Sequence, residues 1–159
     1  MLDGTVPRSD SAEDPLWLKI AIAELGVAEI PGDEDNPRIL EYHRHTDGPG
    51  GEDDETNWCS SFINFCMDEA GYPGTRSKAA RSWLKWGYPL QQPRRGAVTV
   101  FWRVSPSSWQ GHVALLDHVG HIDGKAKAFV WGGNQGNRVS LAPFEIQRVL
   151  GYRWPTPIL

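Results

Sequence analysis

Cysteine is scarce in this 159-residue chain, which holds two. Two thiols cannot staple a disulfide-rich scaffold or supply a four-thiolate zinc site. Long apolar runs are missing. The richest stretch, PLWLKIAIAEL, is interrupted by Lys19 and Glu24 and falls short of the ~18 residues that mark a membrane span, so no membrane insertion is expected. Basic excess is also absent. Lys and Arg number 16 against 20 Asp and Glu, for a formal charge of −4. That argues against a broad nucleic-acid-binding surface. The N-terminus, MLDGTVPRSDSAEDP, lacks the basic start and apolar core of a secretory signal. The expectation is synthesis in the cytoplasm, with any action outside needing another route of release.

What is present is ordinary in bulk: 40% apolar and 23% charged residues, near globular averages. Seventeen glycines and 12 prolines imply many loops. The length fits one domain of about 100–200 residues. Residues 1–13 read as a polar, flexible tail, and 14–159 as a single domain. A monomer is expected.

Helix signals come first. Asp14 followed by Pro15 reads as an N-cap and first helical residue, with Gly26 as the stop. Asn36-Pro37 repeats the pattern before RILEYHRH. TDGPGGEDDET reads as an acidic loop. A third helix is expected from about Trp58 to Ala70, capped by Thr56 or Asn57 and stopped by Gly71, and a fourth from Ser77 to about Trp86. After Pro89 the pattern turns β-branched and aromatic. AVTVFW, HVALLDH, KAFVW, NRVSL and VLGYRW make a set of about five strands, with Asp123-Gly124 as a hairpin turn. Helices followed by strands predict an α+β fold with an antiparallel sheet.

The segment DETNWCSSFINFCMDEAG carries the most chemistry. Cys59 falls in the first turn of the third helix, where unpaired N–H groups and the positive dipole end lie. Such a thiol can be acidified into a nucleophile, and the same N–H groups can hold an oxyanion. The competing reading is a small buried hydrophobe. Cys66 is seven residues along the same helix, about 10.5 Å in rise, so the two cannot form a disulfide. Its neighbours Phe62, Ile63, Phe65 and Met67 mark it as core.

A nucleophilic cysteine needs a base. His43 and His45 fall on the polar second helix and read as solvated. His112, His118 and His121 cluster around the hairpin. His112 and His118 would lie ~20 Å apart along one strand face, so both cannot serve one thiol, and spacing alone does not choose. His112 has the more suggestive setting, after Gly111 at a strand start. His43-x-His45 and His118-x-x-His121 lack a third ligand at recognisable spacing, so no metal is expected. WGGNQGN (131–137) offers Asn134, and next Gln135, to orient an imidazole. It reads equally as a Gly/Asn turn.

NWCSSFINFCMDEAG, PRRGAVTVF, GHVALL and WGGNQGN, in this order, resemble the CHAP-type hydrolases. Those stand with the NlpC-type enzymes in the papain-like superfamily of bacterial cell-wall hydrolases. The resemblance spans about residues 14–154. It implies a helix opened by the catalytic cysteine and packed on a small antiparallel sheet. It also implies amide-bond cleavage in peptidoglycan stem peptides without a cofactor. Position by position it makes Cys59 the nucleophile, His112 the base and Asn134 the third member, a place where the family varies among Asn, Asp, Glu, Gln and His. Many NlpC-type members carry Asp before the cysteine, whereas this chain has Trp58, which places it nearer the CHAP type. Trp58 and Trp131 flank the catalytic positions and are expected, with Gln135, to line a substrate groove. Trp17 and Trp83 are expected in the core. The setting implied is a phage-type lysin or an interbacterial amidase effector, the latter with an immunity protein as partner. The alternatives are a non-catalytic peptide- or glycan-binding module and a papain-like acyltransferase or deamidase acting on other substrates.

Overall fold

Pro15 stands immediately before α1 (Leu16–Ala23), one residue later than expected for the cap. The Asp14 carboxylate is instead taken by Arg95, at 2.8 Å. Gly26 ends the segment with φ +94°. α2 (Pro37–His43) starts as its sequence predicts: the Asn36 side chain accepts from the Arg38 N–H at 2.8 Å, with Pro37 at the first helical position. α3 (Cys59–Glu69) begins directly after Trp58, without a side-chain cap. The computed structural model describes residues 13–51 and 57–157. Residues 1–12 of the expected tail over 1–13, the acidic residues 52–55 and the candidate cap Thr56 lie outside these described residues.

The fourth expected helix is a 3-10 segment, Ala80–Lys85. Its intended first turn is diverted, because the Ser77 carbonyl accepts from Ser60 Oγ and Asn64 Nδ2 on α3. The strands are β1 (Tyr88–Leu90), β2 (Val98–Trp102), β3 (Gly111–Ile122), β4 (Lys125–Gly132), β5 (Ser140–Glu145) and β6 (Val149–Trp154). They form one antiparallel sheet in the order β1-β6-β2-β3-β4-β5. The class is α+β. The sheet has six strands rather than about five, because Tyr88–Leu90 pairs with β6. Asp123 and Gly124 both have positive φ, 51° and 77°, the requirement of a tight two-residue hairpin. The fourth expected strand, 137–141, is displaced to 140–145. Residues 134–137 are consumed by a turn in which Asn134, Gly136 and Asn137 all take positive φ.

Two apolar layers sandwich the sheet. On one face α1, α2 and α3 bury Trp17, Leu18, Tyr42, Phe62 and Met67 against Val98, Val100, Val113, Leu115 and Trp131. The other face holds Phe101, Ala114, Leu116, Ala128 and Val130, with Phe144 and Ile146 packed on them. β2 and β5 are three strands apart, ~14 Å on a flat sheet at ~4.8 Å spacing. Yet the rings of Phe101 and Phe144 are 5.0 Å apart. The sheet therefore curls over this second face and encloses it. Among the described residues no helix is long and apolar enough to cross a membrane.

Candidate active site

Cys59 is the first residue of α3, and its thiol is buried at 6% exposure. Trp58 fixes this helix start. Its ring is fully buried, stacks on Tyr42, and donates its Nε1–H to Glu29 at 2.8 Å. The turn after β4 lies on the same ring. A Cβ at Gly133 would come within 2.7 Å of the Trp58 ring and 2.8 Å of Phe62 Cβ, so only glycine lets the turn approach this closely. The first α-helical bond of α3 runs from the Phe62 N–H to the Trp58 carbonyl. The earlier Cys59 and Ser60 N–H groups, with the Val113 N–H of β3, favour the thiolate form of Cys59.

β4 pairs with β3 only from Leu115 onward. Residues 111–114 of β3 thus form a notch beyond the end of β4. There the helix side and the curled side of the sheet meet. Cys59 lies on the helix side, in the same buried cluster as Val113. His112, the preceding residue, projects toward the curled side, where its ring stacks on Phe144 at 4.8 Å. Val113, which shares the helix-side core with Cys59, and His112 are thus successive residues of β3. Among the described residues no hydrogen bond joins the Cys59 and His112 side chains.

His112 Nε2 lies 2.8 Å from Gln135 Oε1. The Gln135 amide is oriented by its own partners: Nε2–H donates to the carbonyls of Ser140 at 2.9 Å and Val130 at 3.3 Å. With the donors committed, Oε1 faces the ring and must accept. Neutral His112 therefore carries its proton on Nε2, which leaves the Nδ1 lone pair as the basic site.

Burial dominates the electrostatics. It pushes the Cys59 thiol above its ordinary range, against the opposing pull of the Val113, Ser60 and Cys59 N–H groups and of Arg103. The acidification expected at a helix N-terminus is thus outweighed by desolvation. Burial likewise pushes His112 down to about 4, with Gln135 opposing and Arg103 adding to the depression. The resting pair is neutral thiol and neutral imidazole.

Several expected assignments change. Asn134 does not meet His112. Its Nδ2 donates to Asn57 Oδ1 at 3.2 Å, because its left-handed backbone, φ 58°, leaves the inward position to Gln135. Gln135, expected at a substrate groove, is buried with its amide oxygen against the imidazole. Trp58 and Trp131 are buried core residues, with Nε1–H groups bound to Glu29 and to Asp117, so neither presents a surface to a substrate. Trp17 and Trp83 are in the core as expected. His43 is buried beside Ser61, with 2.7 Å between Nδ1 and Oγ, and His45 is half-buried on Asp68; neither is the solvated residue expected. A bulge at Asp117 turns His118 onto Phe129 and the Asp117 carboxylate, away from the notch. Among the described residues no group of three His, Cys, Asp or Glu side chains is placed to hold a metal.

Other contributors were not foreseen. A groove of about 360 Å³ opens beside Gly111, which precedes His112, and Asn57, two residues before Cys59; Arg103, Val104, Trp109 and Gln110 complete its lining. Phe144 covers the imidazole from the far end of the sheet. Neither Arg103 nor Phe144 belongs to a recognisable motif, and only the curl and the β2–β3 loop bring them near. No protein-family model matches this chain, and no curated protein matches it.

Proposed function

We propose that the chain is a papain-like cysteine hydrolase of the CHAP and NlpC kind, cleaving amide bonds in the stem peptides of peptidoglycan. The observation that carries this reading is the combination of three features. These are a cysteine at a helix start, a histidine on the strand that packs beside it, and a glutamine that leaves the imidazole Nδ1 basic. The helix-on-antiparallel-sheet arrangement supports it as well.

In the proposed reaction His112 Nδ1 takes the Cys59 proton as the sulfur adds to the amide carbonyl. N–H groups at the start of α3 hold the oxyanion. Collapse breaks the C–N bond, and Nδ1–H protonates the departing amine. Water then adds to the thioester, giving its proton to Nδ1. Collapse releases the carboxylic acid and returns the thiol. Proton transfer of this kind contributes about 10²–10⁴-fold. Because the resting pair is neutral, ionisation accompanies attack rather than preceding it. The scheme calls for no metal or organic cofactor. It fits a phage-type lysin, or an amidase effector whose immunity protein would cover the groove.

The test is digestion of purified peptidoglycan by wild type and Cys59→Ala, with mass spectrometry of the fragments. New amine and carboxyl termini from wild type alone are expected. Their absence rejects the hydrolase. The burial of both Cys59 and His112 favours a second reading, a non-catalytic peptide- or glycan-binding module. That reading requires Cys59→Ala to retain full biological activity.

A further inference from the structure

The loop between β2 and β3, residues 103–110, is built to hold an unusual shape. Arg81 crosses it, and its guanidinium donates to the carbonyls of Gln110 at 2.7 Å, Pro106 at 2.7 Å and Ser105 at 3.0 Å. Ser108 Oγ donates to the Arg103 carbonyl, and the Arg103 N–H to that of Gln110. This frame keeps Val104 at φ 68°, a strained conformation for a β-branched residue. It also keeps Val104 and Trp109 at 75% and 78% exposure. Strain and solvent-facing apolar side chains both cost free energy. A rigid loop that bears both at the mouth of a groove has the form of a recognition surface.

Arg103 lies in the same groove, exposed, with no carboxylate partner among the described residues. Its charge reaches both Cys59 and His112. We infer that this groove is a substrate subsite in which Arg103 pairs with a carboxylate of the peptide while Trp109 covers the adjoining backbone. The inference rests on the hydrolase reading and adds to it a preference for substrates with a free acid next to the scissile amide. Pairing also screens the Arg103 charge from the imidazole at the moment when it must accept a proton.

The test uses two synthetic stem tetrapeptides that differ only in whether the glutamyl α-carboxyl is free or a carboxamide. Wild type is expected to favour the free acid by about tenfold in kcat/KM, the scale of one charge-assisted hydrogen bond, mainly through KM. Arg103→Met should erase the preference and Arg103→Lys should restore part of it, with unchanged melting temperatures. Equal turnover of both peptides by wild type overturns the inference, and so does a preference that survives in folded Arg103→Met. The wild-type comparison holds even where a variant fails to fold. Calorimetric titration of the same peptides into Cys59→Ala separates the two claims. Carboxylate-dependent binding without turnover by wild type keeps the subsite and removes the hydrolase. Binding that is indifferent to the carboxylate, or matched by a peptide-free glycan oligomer, removes the subsite.

Discussion

Replacing Gln135 by leucine tests the site at the point where structure and proton chemistry join. The side chain accepts from His112 Nε2–H and donates to the Val130 and Ser140 carbonyls. Leucine removes all three bonds inside a buried turn. At about 1 kcal/mol of net stability per bond, and more for a group left unsatisfied, the loss is about 2–4 kcal/mol. Small domains hold about 5–15 kcal/mol, so the variant should fold and show a lower urea midpoint. The chemical loss is separate. Without its acceptor the ring no longer favours the Nε2–H tautomer, and ~1 kcal/mol of bias corresponds to about fivefold in tautomer ratio. Loss of ring orientation adds to this, up to the ~10²-fold lower end of general acid–base catalysis. We therefore expect kcat/KM to fall by between about fivefold and 100-fold under conditions where the variant is folded. The ¹⁵N shifts of His112 should move toward a mixed tautomer. Gln135→Glu keeps an acceptor and should retain more activity, with its acid limb displaced to higher pH because a carboxylate favours the imidazolium. If Gln135→Leu keeps both wild-type turnover and a pure Nε2–H signature, the positioning argument is wrong.

Three further outcomes follow from the same geometry. His112 has a folded pKa of about 4, below an unfolded value near 6.5. The unfolded chain thus binds more protons between those values. The stability due to neutral His112 is full above pH 6.5 and is lost as pH falls toward 4, by about 3 kcal/mol at ~1.4 kcal/mol per unit. Urea titrations across this range should show that slope, reduced in His112→Asn. Cys59 is protonated and buried, so iodoacetamide should label it slowly at pH 7 and faster above pH 9, as mass spectrometry of the modified peptide will show. Rapid labelling at pH 6 contradicts a neutral thiol. Gly133→Ala must displace the Trp58 ring or the turn. It should cost about 1–3 kcal/mol and lower activity, whereas Gly124→Ala, which meets no atom, should affect only the hairpin turn.

Features written in local chemistry were legible in the chain. Asn36-Pro37 starts α2, Gly71 stops α3, and Asp123-Gly124 turns the hairpin as their side chains and backbone freedoms require. Cys59 opens α3 close to the expected start, but Trp58 rather than Asn57 holds the cap position and no side chain caps the helix. The third member of the site was not legible, because Asn134 and Gln135 are both amides and composition ranks them alike. What separates them is backbone handedness: asparagine tolerates the left-handed region, so it takes the turn at φ 58° and glutamine points inward. The tryptophans beside the site misled for a related reason. Proximity in sequence to Cys59 says nothing about which way a ring faces, and the buried Trp58 and Trp131 rings find carboxylates for their N–H groups, half-buried Glu29 and buried Asp117. The acidity of the thiol could not be read from a helix terminus alone, since burial by the opposite layer outweighs it. Arg103 and Phe144 depend on the strained loop and the curl of the sheet, which no local pattern encodes.

The ring that covers the imidazole, Phe144, belongs to β5, an edge strand held by one neighbour and carrying Pro143, which offers no N–H to a ladder. Edge strands open more readily than central ones. Each transient parting of β5 from β4 lets water reach the ring and returns to it the proton affinity of a free histidine. How strongly the base resists acid is thus governed by the breathing of a strand that carries none of the proposed chemistry.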